Sequence, residues 1–146
     1  MTFALLLIAA SFELGLTFPA GGLEKEVNIG EYLRVSHSII ELKSVVFSPY
    51  VRFSRYPGIT SALPVYDGSA GMLAGFTKKI AGISGELGLG FGVLQSSNNI
   101  VHVESYFIMK RRIIRDINLD LAVSIPILFF ENTTIYSVNI GLLWGI

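Results

Sequence analysis

Residues 133–146 alternate almost without error, Ile135 excepted, between an apolar set (Tyr136, Val138, Ile140, Leu142, Trp144, Ile146) and a small or polar set (Ser137, Asn139, Gly141, Gly145). Side chains change faces at every residue of extended backbone, so this segment reads as a strand with one greasy face. The pattern continues to the final residue without a polar tail. That is the arrangement expected where a last strand closes a sheet and leaves no open edge in lipid.

The same period of two divides the chain into about eight segments, this last one included, each near the roughly 9 to 11 residues of a tilted membrane-spanning strand. In 12–20, Phe12, Leu14, Leu16 and Phe18 oppose Glu13, Gly15 and Thr17; in 45–56, Val45, Phe47, Val51 and Phe53 oppose Ser48, Tyr50, Arg52 and Ser54. Segment 69–79 sets Ala70, Met72, Ala74 and Phe76 against Gly71, Gly75, Thr77 and Lys79, and 82–94 sets Ile83, Leu87, Leu89, Phe91 and Val93 against Ser84, Glu86 and four glycines. In 101–112, Val101, Val103, Phe107 and Met109 oppose His102, Glu104, Tyr106, Lys110 and Arg112, with Ser105 and Ile108 blurring the pattern. Segment 117–130 opposes Ile117, Leu119, Leu121, Val123, Ile125, Ile127 and Phe129 to Asn118, Asp120, Ala122 and Ser124; Pro126 within it removes a ladder donor and predicts a bulge or kink. The least regular segment, 29–42, carries Leu33, Val35, His37 and Ile39 on its apolar face and Arg34 on the other.

Composition removes several classes of function. The 146 residues make one domain, 51% hydrophobic and 15% charged, without a stretch of the roughly 20 apolar residues that a membrane-spanning helix needs. Lysine plus arginine equals aspartate plus glutamate at 11 each, which gives no electrostatic basis for nucleic-acid binding. There is no cysteine, hence no disulfide, thiolate chemistry or cysteine zinc site. Residues 3–10 form a short apolar run followed by Ala9-Ala10-Ser11, which reads as a secretory leader over 1–11 with the barrel spanning 12–146. No Lys or Arg precedes the run, which leaves an upstream start or a first strand as alternatives.

Turn residues at Pro19-Ala20-Gly21-Gly22, Tyr56-Pro57-Gly58, Asp67-Gly68 and Asn98-Asn99 separate the segments. Long connections at 19–28 and 57–68 alternate with tight ones at 42–44 and 79–81, which fits an up-and-down meander with its long loops at one end, although the connections at 95–99 and 131–134 are short and add no support. Period two alone does not say whether the apolar face lines a soluble, lipocalin-like barrel or coats a membrane barrel. The residues of the other face decide between them. A solvent face calls for long charged groups, whereas this one is rich in glycine, which suits a narrow interior. Its charged members, Glu13, Glu86, Glu104 and Asp120 against Arg34, Arg52, Lys79, Lys110 and Arg112, with His102, then form an interior polar network, since buried charges need partners. The lipid-facing set is accordingly Leu14, Leu16, Val51, Met72, Leu87, Leu89, Leu121, Val123, Val138, Ile140 and Leu142. Phe18, Phe53, Phe129 and Tyr136 belong to the outer interface and Phe12, Phe76 and Trp144 to the inner one. Lys78, Arg55 and Arg111 share the lipid face by parity, but at segment ends, where charge costs less.

Over residues 12–146 this pattern resembles the small eight-stranded outer-membrane barrels of the OmpA transmembrane-domain and OmpX type. The resemblance implies an all-β, single up-and-down antiparallel transmembrane barrel in a bacterial outer membrane, with membrane lipid as a partner and insertion by the barrel-assembly machinery. That class typically ends in Phe, whereas this chain ends in Ile146 after Trp144.

The histidines His37 and His102 are the starting points for a catalytic reading. Ser36 and His37 point to opposite faces, as do His102 and Ser105, while His102 and Glu104 share a face with no serine between them. The expectation is therefore no catalytic residue. Gly88-Leu89-Gly90-Phe91-Gly92 lacks the spacing and helix of a phosphate loop, and the carboxylates and histidines form no metal constellation, so no cofactor or metal is expected. Eight strands enclose a space that side chains fill, which argues against a porin. A structural or surface-interaction envelope barrel acting through its outer loops ranks first, a soluble ligand-binding barrel second and a lipid-modifying enzyme third.

Overall fold

The computed structural model describes residues 10–25, 27–59 and 63–145, and among these the regular structure is almost entirely strand. The strands are β1 (Ala10–Ala20), β2 (Gly30–His37), β3 (Ile40–Leu42), β4 (Val45–Tyr56), β5 (Val65–Phe76), β6 (Ile83–Gln95), β7 (Asn99–Ile114), β8 (Leu119–Phe129) and β9 (Thr134–Gly145). One 3-10 turn, Leu23–Lys25, sits between β1 and β2. No helix among the described residues is long and apolar enough to cross a membrane.

Apart from β2 and β3, consecutive strands pair antiparallel, β1 pairs with β9, and β2 pairs with β4 to close the ring. β2 and β3 are one stave: Ile39 N donates to Phe47 O at 3.0 Å while Ile40 is Phe47's ladder partner, so two residues face one across a bulge. The result is a closed eight-stranded antiparallel barrel. Stepping across the ladders from Ala10 leads to His37, then past the end of the β2–β4 ladder to Pro49, and on to Met72, Leu89, Ser105, Ile127 and Tyr136. The circuit returns to β1 at Ala20, the other end of that strand. This stagger is what tilts the strands and sets the width of the interior.

The two long connections, 21–29 and 57–64, share one end, and the connections at the other are all short. Ile80 and Ile83 exchange hydrogen bonds at 2.9 Å across Ala81 (φ 52°) and Gly82 (φ 77°), a two-residue turn whose twist matches that of the flanking strands. Residues 43–44 and 115–118 close the other two turns there, and Ala10 and Gly145 lie at the same end. The opposite end carries the connections 21–29, 57–64, 96–98 and 130–133.

Several expectations need correction. β5 begins at Val65, so Asp67-Gly68 lies inside a strand and the second outer loop is shorter than 57–68. Pro126 causes no bulge: the register is the same at Ser124–Asn139 and Ile127–Tyr136, and only the two intervening β8–β9 pairs are missing. The irregularity sits in β7 between Arg112 and Ile114. Ile117 lies in the turn before β8, because Asn118 adopts a left-handed conformation (φ 50°) and donates its N–H to Arg115 O. Of the expected leader, residues 1–9 lie outside the described residues; Ala10 and Ser11 are paired in β1.

Candidate functional site

Strand parity sends Glu13, Arg34, Arg52, Glu86, His102, Glu104, Lys110, Arg112 and Asp120 to the inner face, and register decides which of them meet. Glu13 is the direct ladder partner of Arg34, and the two form a fully buried ion pair that Tyr32 joins by donating its hydroxyl to Glu13. Arg34 also lies 3.8 Å from Glu86, which pairs with Lys110. Nearer the long loops, Arg52 Nη2 pairs with both Asp67 and Glu104, and its Nη1 donates to Ser54 at 2.6 Å. Glu104 accepts further bonds from Tyr50 at 2.6 Å and Ser69 at 3.1 Å. His102 Nε2 contacts Asp67 at 2.6 Å, with its ring edge against Phe130. At the short-turn end Arg112 pairs with Asp120 and donates to Asn118 at 2.9 Å.

Arg34 and Arg52 are themselves ladder partners, a like-charge juxtaposition that is unfavourable on its own. Each is neutralised by carboxylates on its own side, and the Tyr106 ring lies 5.4 Å from one guanidinium and 5.8 Å from the other. An aromatic face at that range stabilises cations. Tyr106 lies tilted against Tyr50, ring centroids 5.5 Å apart, and packs with Leu73 and Ile108 between the two charge clusters. Toward the long loops, Thr17, Tyr56, Ser137 and Asn139 form a chain of hydroxyl and amide contacts of 3.2–3.4 Å. Above it, Val27 and Tyr56 pack with Val65 and Ile135. The glycines make room for these large groups. A Cβ at Gly90 would lie 2.6 Å from the Tyr50 hydroxyl, and one at Gly92 2.5 Å from His102.

Lys79 is not part of this network. β5 ends at Phe76, and Lys79 is exposed in the following turn with no ion pair among the described residues; it lines the mouth of a polar cavity of about 230 Å³ shared with Ser48, Glu86, Lys110 and Arg112. Sequence reading missed Asp67, which links Arg52 to His102. Extending the parity of Ser69 and Gly71 back past Gly68 would have placed it inward. It also left out the inward tyrosines Tyr32 and Tyr56 as network members.

Leu14, Leu16, Val51, Met72, Leu87, Leu89, Leu121, Ile140 and Leu142 are exposed on the outer wall, and Val123 and Val138 are partly so. Phe53, Phe129 and Tyr136 lie with Phe18 toward the long-loop end; Phe12 and Trp144, ladder partners, lie with Phe76 toward the short turns. His37 is on the outer wall at the short-turn end. Neither nitrogen of His102 bonds a serine: Nε2 is held by Asp67, and Nδ1 has no partner among the described residues. No group of three or more His, Asp or Glu side chains among the described residues could hold a metal ion.

No family model and no curated protein matches the sequence. In structure the chain is similar to the Yersinia pestis outer membrane protein Ail, whose backbone was determined in a phospholipid bilayer nanodisc. The TM-score is 0.64 at 11% identity, over 94% of this chain and 98% of that one. It is also similar to neisserial surface protein A, NspA, with a TM-score of 0.61 at 13% identity over 94% of this chain and 96% of that one. The fold is that of the small eight-stranded outer-membrane barrels.

Proposed function

We propose that this protein is an integral barrel of a bacterial outer membrane, with an interior closed to solutes, serving as a structural or surface-interaction protein through its long loops. The observation that carries this reading is the inversion of polarity across the wall. Leu89 and Phe91, outward on β6, are 68% and 71% exposed, while Glu13 and Arg52, on the inner faces of β1 and β4, are 0% and 2% exposed. Continuous apolar surface around a whole barrel is far larger than a soluble monomer tolerates, and lipid is the solvent that suits it. A soluble ligand carrier would need an apolar interior instead.

Closure of the interior is supported by Arg52, which ties β4 to carboxylates on β5 and β7, and by the Val27–Tyr56 cluster at the long-loop end. The first two long loops are joined to each other: Asn28 N–H donates to Pro57 O at 2.8 Å, and Val27 bridges to Gly58. Beside that junction Ile59 is exposed, and Leu63 is 81% exposed. Apolar side chains presented on an anchored loop pair suit contact with another macromolecule. The expressed protein should sediment with outer membranes, require detergent for release, and run faster on a gel unheated than boiled. In planar bilayers it should give no steady conductance. A freely soluble monomer would sink the membrane assignment, and stable open channels would sink the closed interior.

A further inference from the structure

The outer wall is hollowed at one place next to unpaired positive charge. Gly85, outward on β6, floors an apolar cavity of about 490 Å³ walled by Phe76, Ile80, Ile83, Phe107 and Met109, with Lys78 at its edge. Ile83 is the ladder partner of Arg111, so Arg111, outward by strand parity and exposed, flanks the same hollow. Neither cation has an ion pair among the described residues.

Ile83 opens the outward apolar row of β6 that ends at Val93, a row about as tall as the roughly 25 Å apolar band of such barrels. Lys78 and Arg111 therefore stand at the level of lipid phosphates on the short-turn, inner side. The charge of the whole rim agrees. Among the described residues, exposed Lys43, Lys78, Lys79, Arg111 and Arg115 face only Glu41 and Asp116 there, whereas the long-loop end carries Glu24, Glu31 and Glu131 against Lys25 and Arg55.

From this pairing we infer a binding site for one anionic phospholipid of the inner leaflet, its acyl chain in the hollow over Gly85 and its phosphate between Lys78 and Arg111. A basic edge beside an apolar furrow matches that amphiphile in both halves, and a zwitterionic lipid in only one. The inference rests on the outward face meeting lipid.

The test uses a chain in which Trp144→Phe removes the sole tryptophan and Phe107→Trp places a new one in the cavity wall; Met109→Trp provides an independent second position. Either version, checked for folding by its gel shift on heating, is reconstituted in phosphatidylcholine–phosphatidylglycerol vesicles in which one lipid or the other has brominated chains. Quenching should report phosphatidylglycerol enriched about fivefold over its bulk share. The Lys78→Gln/Arg111→Gln pair should return it to the bulk share. Gly85→Leu should also abolish the enrichment by filling the hollow, since a Cβ there meets nothing nearer than Ile108 O at 3.9 Å. Equal quenching by both lipids in the charged parent, or enrichment that survives loss of both cations, would overturn the site alone. Quenching by neither lipid would overturn the membrane assignment with it.

Discussion

Arg52 gives one nitrogen, Nη2, to carboxylates from two other strands, so its removal leaves Glu104 buried with no cation and Asp67 with the His102 imidazole alone. Orphaning a buried charge costs about 3 to 5 kcal/mol, against at most about 1 kcal/mol for an exposed pair. Arg52→Ala should therefore lower stability in reversible urea refolding into lipid far more than Arg55→Ala, whose partner Glu31 is half exposed at 2.7 Å. Equal losses would refute a network in which Arg52 is central. Gly92 tests the crowding around His102 from the opposite direction: Gly92→Ala sets a methyl 2.5 Å from the imidazole and 2.6 Å from Gly68 O, so a loss of about 1 to 3 kcal/mol is expected in the same assay. The pairings themselves were not legible in the sequence. Parity assigns a face, but which carboxylate meets which cation depends on the stagger of strands far apart in the chain, as with Arg52 and Glu104.

At the scale of the strand, alternation was enough to read β4 and nearly all of β6 and β9, because a two-sided environment imposes opposite polarities on adjacent residues. Legibility failed where composition imitates a turn. Asp67-Gly68 has turn chemistry, yet Gly68 is outward in β5 and Asp67 meets Arg52 across the interior. Pro126 misled for a different reason: it keeps the register on its β7 side, pairing with Tyr106, and forfeits only contacts toward β9. The wall's polarity can be probed on β6 alone. A fluorescent label on Leu89→Cys should be quenched by lipid-borne quenchers and shielded from aqueous ones, and Leu89→Arg should cost about 2 to 4 kcal/mol if it lies at the bilayer midplane. A label that no lipid quencher reaches in correctly folded, reconstituted protein would reverse the assignment of both faces.

For the molecule as a whole, identities of 11% and 13% to Ail and NspA accompany a shared fold. Such a barrel asks for alternation, strand length and compatible register, and asks little of particular residues, so its architecture is readable from a sequence that shares few residues with either neighbour. The interrupted ladder beside Pro126 has a mechanical consequence. The β1–β9 seam is paired without a gap from Ser11–Gly145 to Ala20–Tyr136, whereas β8 and β9 lack two successive rungs between Ser124–Asn139 and Ile127–Tyr136. Under a pulling load the wall therefore tears more readily between its last two staves than along the joint where the ends of the chain meet, and β9 comes away still attached to β1.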